Sequence, residues 1–268
     1  MDLPQKSYDY LEDYLDSLRA KGRYAFSWEE AKQEFSLTDK ALNQNLFRLK
    51  ARKKIVQIRK GYYAVIPPEY AAQGMIPVPL FLDDMMKTLN HRYYVGLVSA
   101  AALHGAAHQQ PMESSVITKK PTLRNINSKM IKVRFYIKKT WEIEDIVNIK
   151  TDAGYINVSS PELTALDLFY YISSIGINQA TDILRELAEV LKPSKLSAAS
   201  KRFSQTTALQ RLGYVLDVLL QNDALSAAVF KVLSNRRTIA IPLVPGKEIS
   251  GELNPKWKII KNVEIEIE

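Results

Sequence analysis

The chain has 268 residues, 46% hydrophobic and 25% charged, the composition of a globular protein with a real core and length enough for two domains. It has no cysteine, which excludes disulfides, thiol catalysis and cysteine-ligated zinc and fits a reducing cytoplasm; no run approaches the roughly 18–20 apolar residues of a membrane helix, and the acidic start MDLPQKSYDYLEDYL is no secretory signal. The net charge of +8 is uneven: residues 1–140 hold 23 basic and 13 acidic side chains (+10) and residues 141–268 hold 14 and 16 (−2), so the first half is the part that attracts a polyanion.

Residues 7–21, SYDYLEDYLDSLRAK, fit a first helix. Ser7 serves as N-cap, Asp9 favours the first turn, and Tyr8, Leu11, Tyr14 (or Leu15) and Leu18 recur at helical spacing. Ser27, with Glu30 at capping-box distance, opens a short second helix through Phe35, whose buried face is Trp28, Ala31 and Phe35. After Ser36-Leu37, Thr38 caps a third helix running to about Lys53. Leu42, Leu46 and Leu49 turn one face of it inward. The opposite face carries Lys40, Gln44, Phe47 and Ala51, flanked by Asn43 and Arg48. IVQIR and YYAVI then alternate around Lys60-Gly61, which reads as a hairpin with Ile55, Ile58, Tyr63 and Val65 inward and Arg59 and Lys60 at its tip.

From Lys40 to Lys60 there are eight Lys or Arg and no Asp or Glu. Three helices, the last outwardly polar and basic, followed by a basic hairpin, predict a winged helix-turn-helix over residues 1–66 that binds double-stranded DNA. The predicted DNA-binding set is Thr38, Lys40, Asn43, Gln44, Arg48, Arg52, Lys53, Lys54, Arg59 and Lys60. Lys40, Asn43, Gln44 and Arg48 would enter the major groove, where Asn and Gln suit adenine and Arg suits guanine. Lys53, Lys54, Arg59 and Lys60 would hold phosphates. Winged helices also serve protein contacts, and a basic helix face is often only a solvated one; the combination of layout, hairpin and acid-free stretch is what favours DNA.

Residues 66–79 hold four prolines and one glycine, so residues 67–79 are expected to be a linker or an extended crossing segment. Residues 80–268 are then a larger mixed α+β domain. FLDDMMKTLN reads as a helix and Val95–Ala107 as a tightly packed small-residue helix. His104 and His108 have metal-ligand spacing, yet two histidines without HExxH make no zinc site, and His104 is expected to bond to backbone instead. SSVITKK, KVRFYIKK, DIVNIKT and GYINVSS read as strands. Residues 119–139 again hold eight Lys or Arg and no acid, so Lys119, Lys120, Arg124, Lys132, Arg134, Lys138 and Lys139 form a possible second basic surface, or else a sheet edge blunted by lysines. Ser160-Pro161-Glu162 starts a helix with serine as cap. Further helices follow from Asn178, Ser194, Thr206 and Asp223, and TIAIPL, WKIIK and VEIEI return to strand patterns.

Phosphate loops and a nucleophile elbow are absent, and no catalytic residue, metal or cofactor is expected. The alternative is a metal-dependent nuclease using the basic domain to hold substrate. Its best carboxylates are Glu142, Glu144 and Asp145, with Lys150 nearby in sequence.

Three segments, LFRLKARKKIVQIRKGYYAV (Leu46–Val65), LVSAAALHG (Leu97–Gly105) and SSPELTALDLF (Ser159–Phe169), occur in the order seen in AbiEi-type antitoxins of type IV toxin–antitoxin (abortive phage infection) systems, which the chain resembles over nearly its whole length. The resemblance implies an autorepressor that binds inverted repeats in its own promoter, two copies meeting on the DNA. It implies a nucleotidyltransferase-like toxin as functional partner, opposed without a stable complex, and a second domain that is an antitoxin domain rather than an enzyme. The longer N-terminal lead and the long helical C-terminal region depart from the family pattern.

Overall fold

A computed structural model describes residues 11–72, 76–106, 111–129 and 131–265. The expected cap at Ser7 and the residues His108 and Glu266–Glu268 lie outside the described residues. The chain is a mixed α+β protein that divides into two compact units. One comprises residues 1–93, 118–137 and 148–157; the other comprises residues 94–117, 138–147 and 158–268.

The chain opens with α1 (Leu11–Ala20), β1 (Ala25–Ser27), α2 (Trp28–Glu34), α3 (Asp39–Ala51), β2 (Ile55–Arg59) and β3 (Tyr62–Val65). Each helix start has a chemical cause. Ser27 accepts the Glu30 N–H at 3.0 Å and Thr38 accepts the Ala41 N–H at 3.3 Å, satisfying donors that a first turn leaves open. Lys32 Nζ bridges Asp39 at 2.8 Å and also bonds the Leu37 carbonyl, which ties the tight turn between α2 and α3. A single apolar cluster, drawn from α1, α2, α3 and the strands, holds these elements together: Tyr14, Leu18, Phe26, Ala31, Leu42, Leu46, Ile55 and Val65 are buried in it. Tyr14 meets Phe26 and Phe35 edge to face, and Phe26 stacks on Tyr63.

The hairpin is larger than its alternation predicts. β1 pairs antiparallel with β3 (Phe26↔Tyr63), giving a three-stranded sheet of order β1-β3-β2. β2 slips register between Gln57 and Arg59, a bulge just before the turn. Gly61 takes φ +72, which side-chain-bearing residues avoid.

The proline-rich segment is not wholly extended. It contains α4 (Pro68–Ala71) and a short 3-10 turn at Val78–Leu80, with Ile66, Ile76 and Val78 buried. α5 (Leu82–Thr88) follows, and Arg23 pairs with its Asp84 at 3.0 Å as well as with Glu30.

The predicted helix from Val95 splits instead into β4 (Tyr93–Val95) and α6 (Leu97–Leu103). Gly96 is the break: a side chain there would meet Ile117 at 2.2 Å. The remaining strands are β5 (Ser114–Thr118), β6 (Ile126–Asn127), β7 (Lys132–Ile137), β8 (Ile146–Thr151) and β9 (Gly154–Ser159). With β4 they make a six-stranded sheet of order β6-β7-β5-β4-β9-β8.

The helical part of the second unit comprises α7 (Pro161–Tyr170), α8 (Ile172–Ile175), α9 (Ile177–Leu187), α10 (Pro193–Arg202), α11 (Thr206–Tyr214), a π-helical turn at Val215–Leu219, and α12 (Asp223–Leu233). Ser160 caps α7 by accepting the Leu163 N–H at 3.1 Å. A small sheet of order β10-β12-β11 (Ile241–Pro242, Ile259–Ile260, Leu253–Asn254) ends the unit. α11 approaches the fully buried Trp257 so closely that a Cβ at Gly213 would lie 1.9 Å from its ring.

Candidate nucleic-acid interface

α3 buries Leu42, Leu46 and Leu49 and turns Lys40, Asn43, Gln44, Phe47 and Arg48 to solvent. These five line one shallow open depression. The outward face therefore offers two cations, two amides and one aromatic ring, with no acidic side chain among them. Phe47 is 67% exposed, an unusual position for a ring on a face that is otherwise polar.

Trp28 ties this face to the hairpin, a role its helical spacing did not announce. Expected as a core residue, it is only half-buried, packed on the edge of the cluster. Its indole Nε1–H donates to Asn43 Oδ1 at 3.0 Å, and its backbone N–H donates to the Gly61 carbonyl at 2.8 Å. One residue thus fixes an amide on α3 and the turn between β2 and β3.

The end of α3 supplies further cations. Lys54 N–H bonds the Leu49 carbonyl at 2.9 Å and Lys53 N–H bonds that of Lys50 at 3.0 Å, the two bonds of a Schellman ending. Lys53 sits at the left-handed position with φ +55, where glycine is usual. Lys53, Lys54 and Lys60 are exposed. Three residues of the predicted set are committed elsewhere to differing extents. Thr38 spends its hydroxyl on the cap of α3; Arg52 pairs with Glu12 at 3.0 Å on the surface; and Arg59 is half-buried, its Nη1 shielded from solvent rather than held out at a tip. An exposed pair such as Arg52–Glu12 is worth about 0–1 kcal/mol and exchanges readily for a phosphate.

The second basic stretch does not stay together. Lys120, Arg124, Lys132 and Arg134 are exposed and Lys119 is half-buried; all five lie in the same compact unit as α3. Lys139 is exposed in the other unit. Lys138 is removed from any surface: it is 6% exposed and its Nζ lies 2.5 Å from Asp167 Oδ1, itself fully buried. Tyr94 donates to the other Asp167 oxygen at 2.6 Å, and the Lys138 ammonium sits 4.3 Å from the Phe203 ring centre. Burial pushes the Asp167 carboxyl above the ordinary aspartate range, against the pull of Lys138 toward the charged form. This is a polar core contact, and an ammonium that binds it cannot also reach a phosphate backbone.

Of the carboxylates proposed for metal chemistry, Glu142 and Glu144 are exposed and Asp145 is engaged. Asp145 is buried, and Arg202 holds both of its oxygens, Nε at 3.0 Å from Oδ2 and Nη2 on Oδ1. Among the described residues, no three His, Asp or Glu stand together in a group able to hold a metal ion. His104 Nε2 lies 2.7 Å from the Ser159 carbonyl and donates to it, the backbone bond expected of it. Among the described residues no helix is long and apolar enough to cross a membrane.

Residues 94–218 match the AbiEi antitoxin C-terminal domain family. Among solved structures, the chain is similar to the RV2827C protein from Mycobacterium tuberculosis. The TM-score is 0.66 at 17% identity, covering 96% of this chain and 92% of that one, a likeness of fold. No curated protein sequence matches the chain.

Proposed function

We infer that this chain, an AbiEi-type antitoxin by its residues 94–218, is also a double-stranded DNA-binding repressor whose first three helices and small sheet act as a winged helix-turn-helix. α3 would lie in the major groove, with the turn at Lys60-Gly61 and the end of α3 against the phosphates. The observation that carries this reading is the outward face of α3: Lys40, Asn43, Gln44, Phe47 and Arg48 all exposed, inside a stretch of eight basic residues without one acid. A face built only for solubility would mix both signs of charge.

As an antitoxin of the type IV class it would act in the cytoplasm, repress its own two-gene operon from inverted repeats, and oppose a nucleotidyltransferase-like toxin without a lasting complex. Two chains would meet on the DNA, one per half-site. The second unit would carry the antitoxin role. Among its described residues, Asp145 and Asp167 are both bound into ion pairs, with Arg202 and Lys138.

The test is a gel shift on the fragment upstream of the coding sequence. With about six phosphates neutralised, the logarithm of affinity should fall against the logarithm of salt with a slope of roughly −5. Lys60→Ala should weaken binding to every sequence alike, whereas Gln44→Ala should relax discrimination at one base pair by about 1–3 kcal/mol. No shift at low salt would end the DNA reading.

A further inference from the structure

The indole of Trp28 can only donate a hydrogen bond. The Asn43 atom 3.0 Å from it is therefore the amide oxygen, and the two N–H groups of the amide nitrogen are not used in that bond. That constrains what Asn43 can read. An asparagine that pairs with adenine presents oxygen and nitrogen side by side, accepting from N6 and donating to N7. Asn43 has its oxygen held by Trp28 and presents donors. Gln44 beside it is exposed and is left for the adenine pairing.

Phe47 lies four residues on, in the next turn along the same face, where side chains stand roughly 5–6 Å apart at Cβ. It is 67% exposed, with Lys40, Gln44 and Arg48 lining the same depression. A donor beside an apolar contact complements one base edge in the major groove. Thymine shows the O4 acceptor next to its 5-methyl group. Guanine accepts but has no methyl, cytosine shows an amine donor, and adenine shows an amine at N6.

We propose that Asn43 and Phe47 together read one thymine in each half-site, the Asn43 amine donating to O4 and the Phe47 ring covering the methyl, with Trp28 as the positioning residue that sets the amide. This rests on the DNA-binding reading above and replaces the adenine pairing that Asn43 suggests by residue type alone.

The experiment uses the full chain and the footprinted promoter site. Each thymine is replaced in turn by deoxyuridine, which keeps O4 and lacks the methyl, and by 5-methylcytosine with guanine placed opposite, which keeps the methyl and turns the acceptor into an amine. At one thymine per half-site, deoxyuridine should weaken binding roughly threefold to fivefold, and 5-methylcytosine about tenfold or more. In Phe47→Ala the deoxyuridine effect at that position should vanish. In Trp28→Phe the penalty for 5-methylcytosine should shrink, because the freed amide can turn its oxygen outward. The DNA replacements alone decide the matter should either variant fold poorly. If the unaltered protein binds every deoxyuridine site with unchanged affinity, or if Phe47→Ala keeps the same sensitivity, the thymine assignment is overturned while DNA binding stands. Absence of any site-specific binding at low salt removes both.

Discussion

Lys53 shows how a single residue can carry a local cost for a surface purpose. It ends α3 at φ +55, a conformation that costs a side-chain-bearing residue about 1 kcal/mol relative to glycine. Both carbonyl bonds of the Schellman ending are present, so glycine would fit without rearrangement. Lys53→Gly should therefore raise unfolding stability by about 0.5–1 kcal/mol, read as a higher urea midpoint at constant slope. The same change removes an exposed ammonium beside the reading helix. DNA affinity should fall for all sequences, and the salt slope should become less steep by about one. A variant that is more stable yet binds DNA as before would show that the lysine does not touch phosphate. Asn43 makes the complementary point. Its residue type suggested adenine, but the indole that fixes its amide comes from fifteen residues upstream, and no local pattern connects the two.

Among elements, those with local causes were legible in the sequence. Ser27 with Glu30, Thr38 before a leucine stripe, and Ser160-Pro161 each place a helix start where the structure has one, because a cap is chemistry within a few residues. β1 was not foreseen: Ala25–Ser27 has no alternation to display, and it becomes a strand only through pairing with Tyr62–Ala64. The helix expected from Val95 was broken by Gly96, whose need is set by Ile117, twenty-one residues on. Lys138 failed for the same reason. Lys139 beside it is basic and exposed, and the carboxylate that it pairs with belongs to α7. That pairing predicts a specific energetic pattern. Asp167→Asn leaves a buried ammonium without its countercharge and should cost about 3–5 kcal/mol in urea unfolding. Replacing the trio together, as Tyr94→Phe, Lys138→Met and Asp167→Leu, removes charge and polar partners at once and should cost far less than the single change. A single change below about 1 kcal/mol would mean the pair is far better solvated than its burial implies.

For the molecule as a whole, the sequence halves differ by charge, +10 against −2, but the compact units do not follow those halves. Residues 118–137 belong to the same unit as α3, so the second acid-free stretch up to Ile137 shares one compact body with the first, although more than fifty residues separate them. A polyanion drawn to that unit meets the field of both. Lys120, Arg124 and Lys132 are the exposed cations with which to measure this. Changing all three to Gln leaves the hydrophobic core untouched, since none of the three is buried, so folding should be unaffected within about 0.5 kcal/mol. Each phosphate contact they make adds about 0.9 to the salt slope on duplex DNA. If the stretch shares the load, the triple variant should bind with a slope flatter by roughly 2–3 and with little change in which sequence it prefers, because phosphate contacts carry no base information. An unchanged slope would confine the footprint to Lys40–Lys60 and return residues 119–139 to the role of a lysine-blunted sheet edge, where the charges prevent strand-to-strand association and never meet DNA.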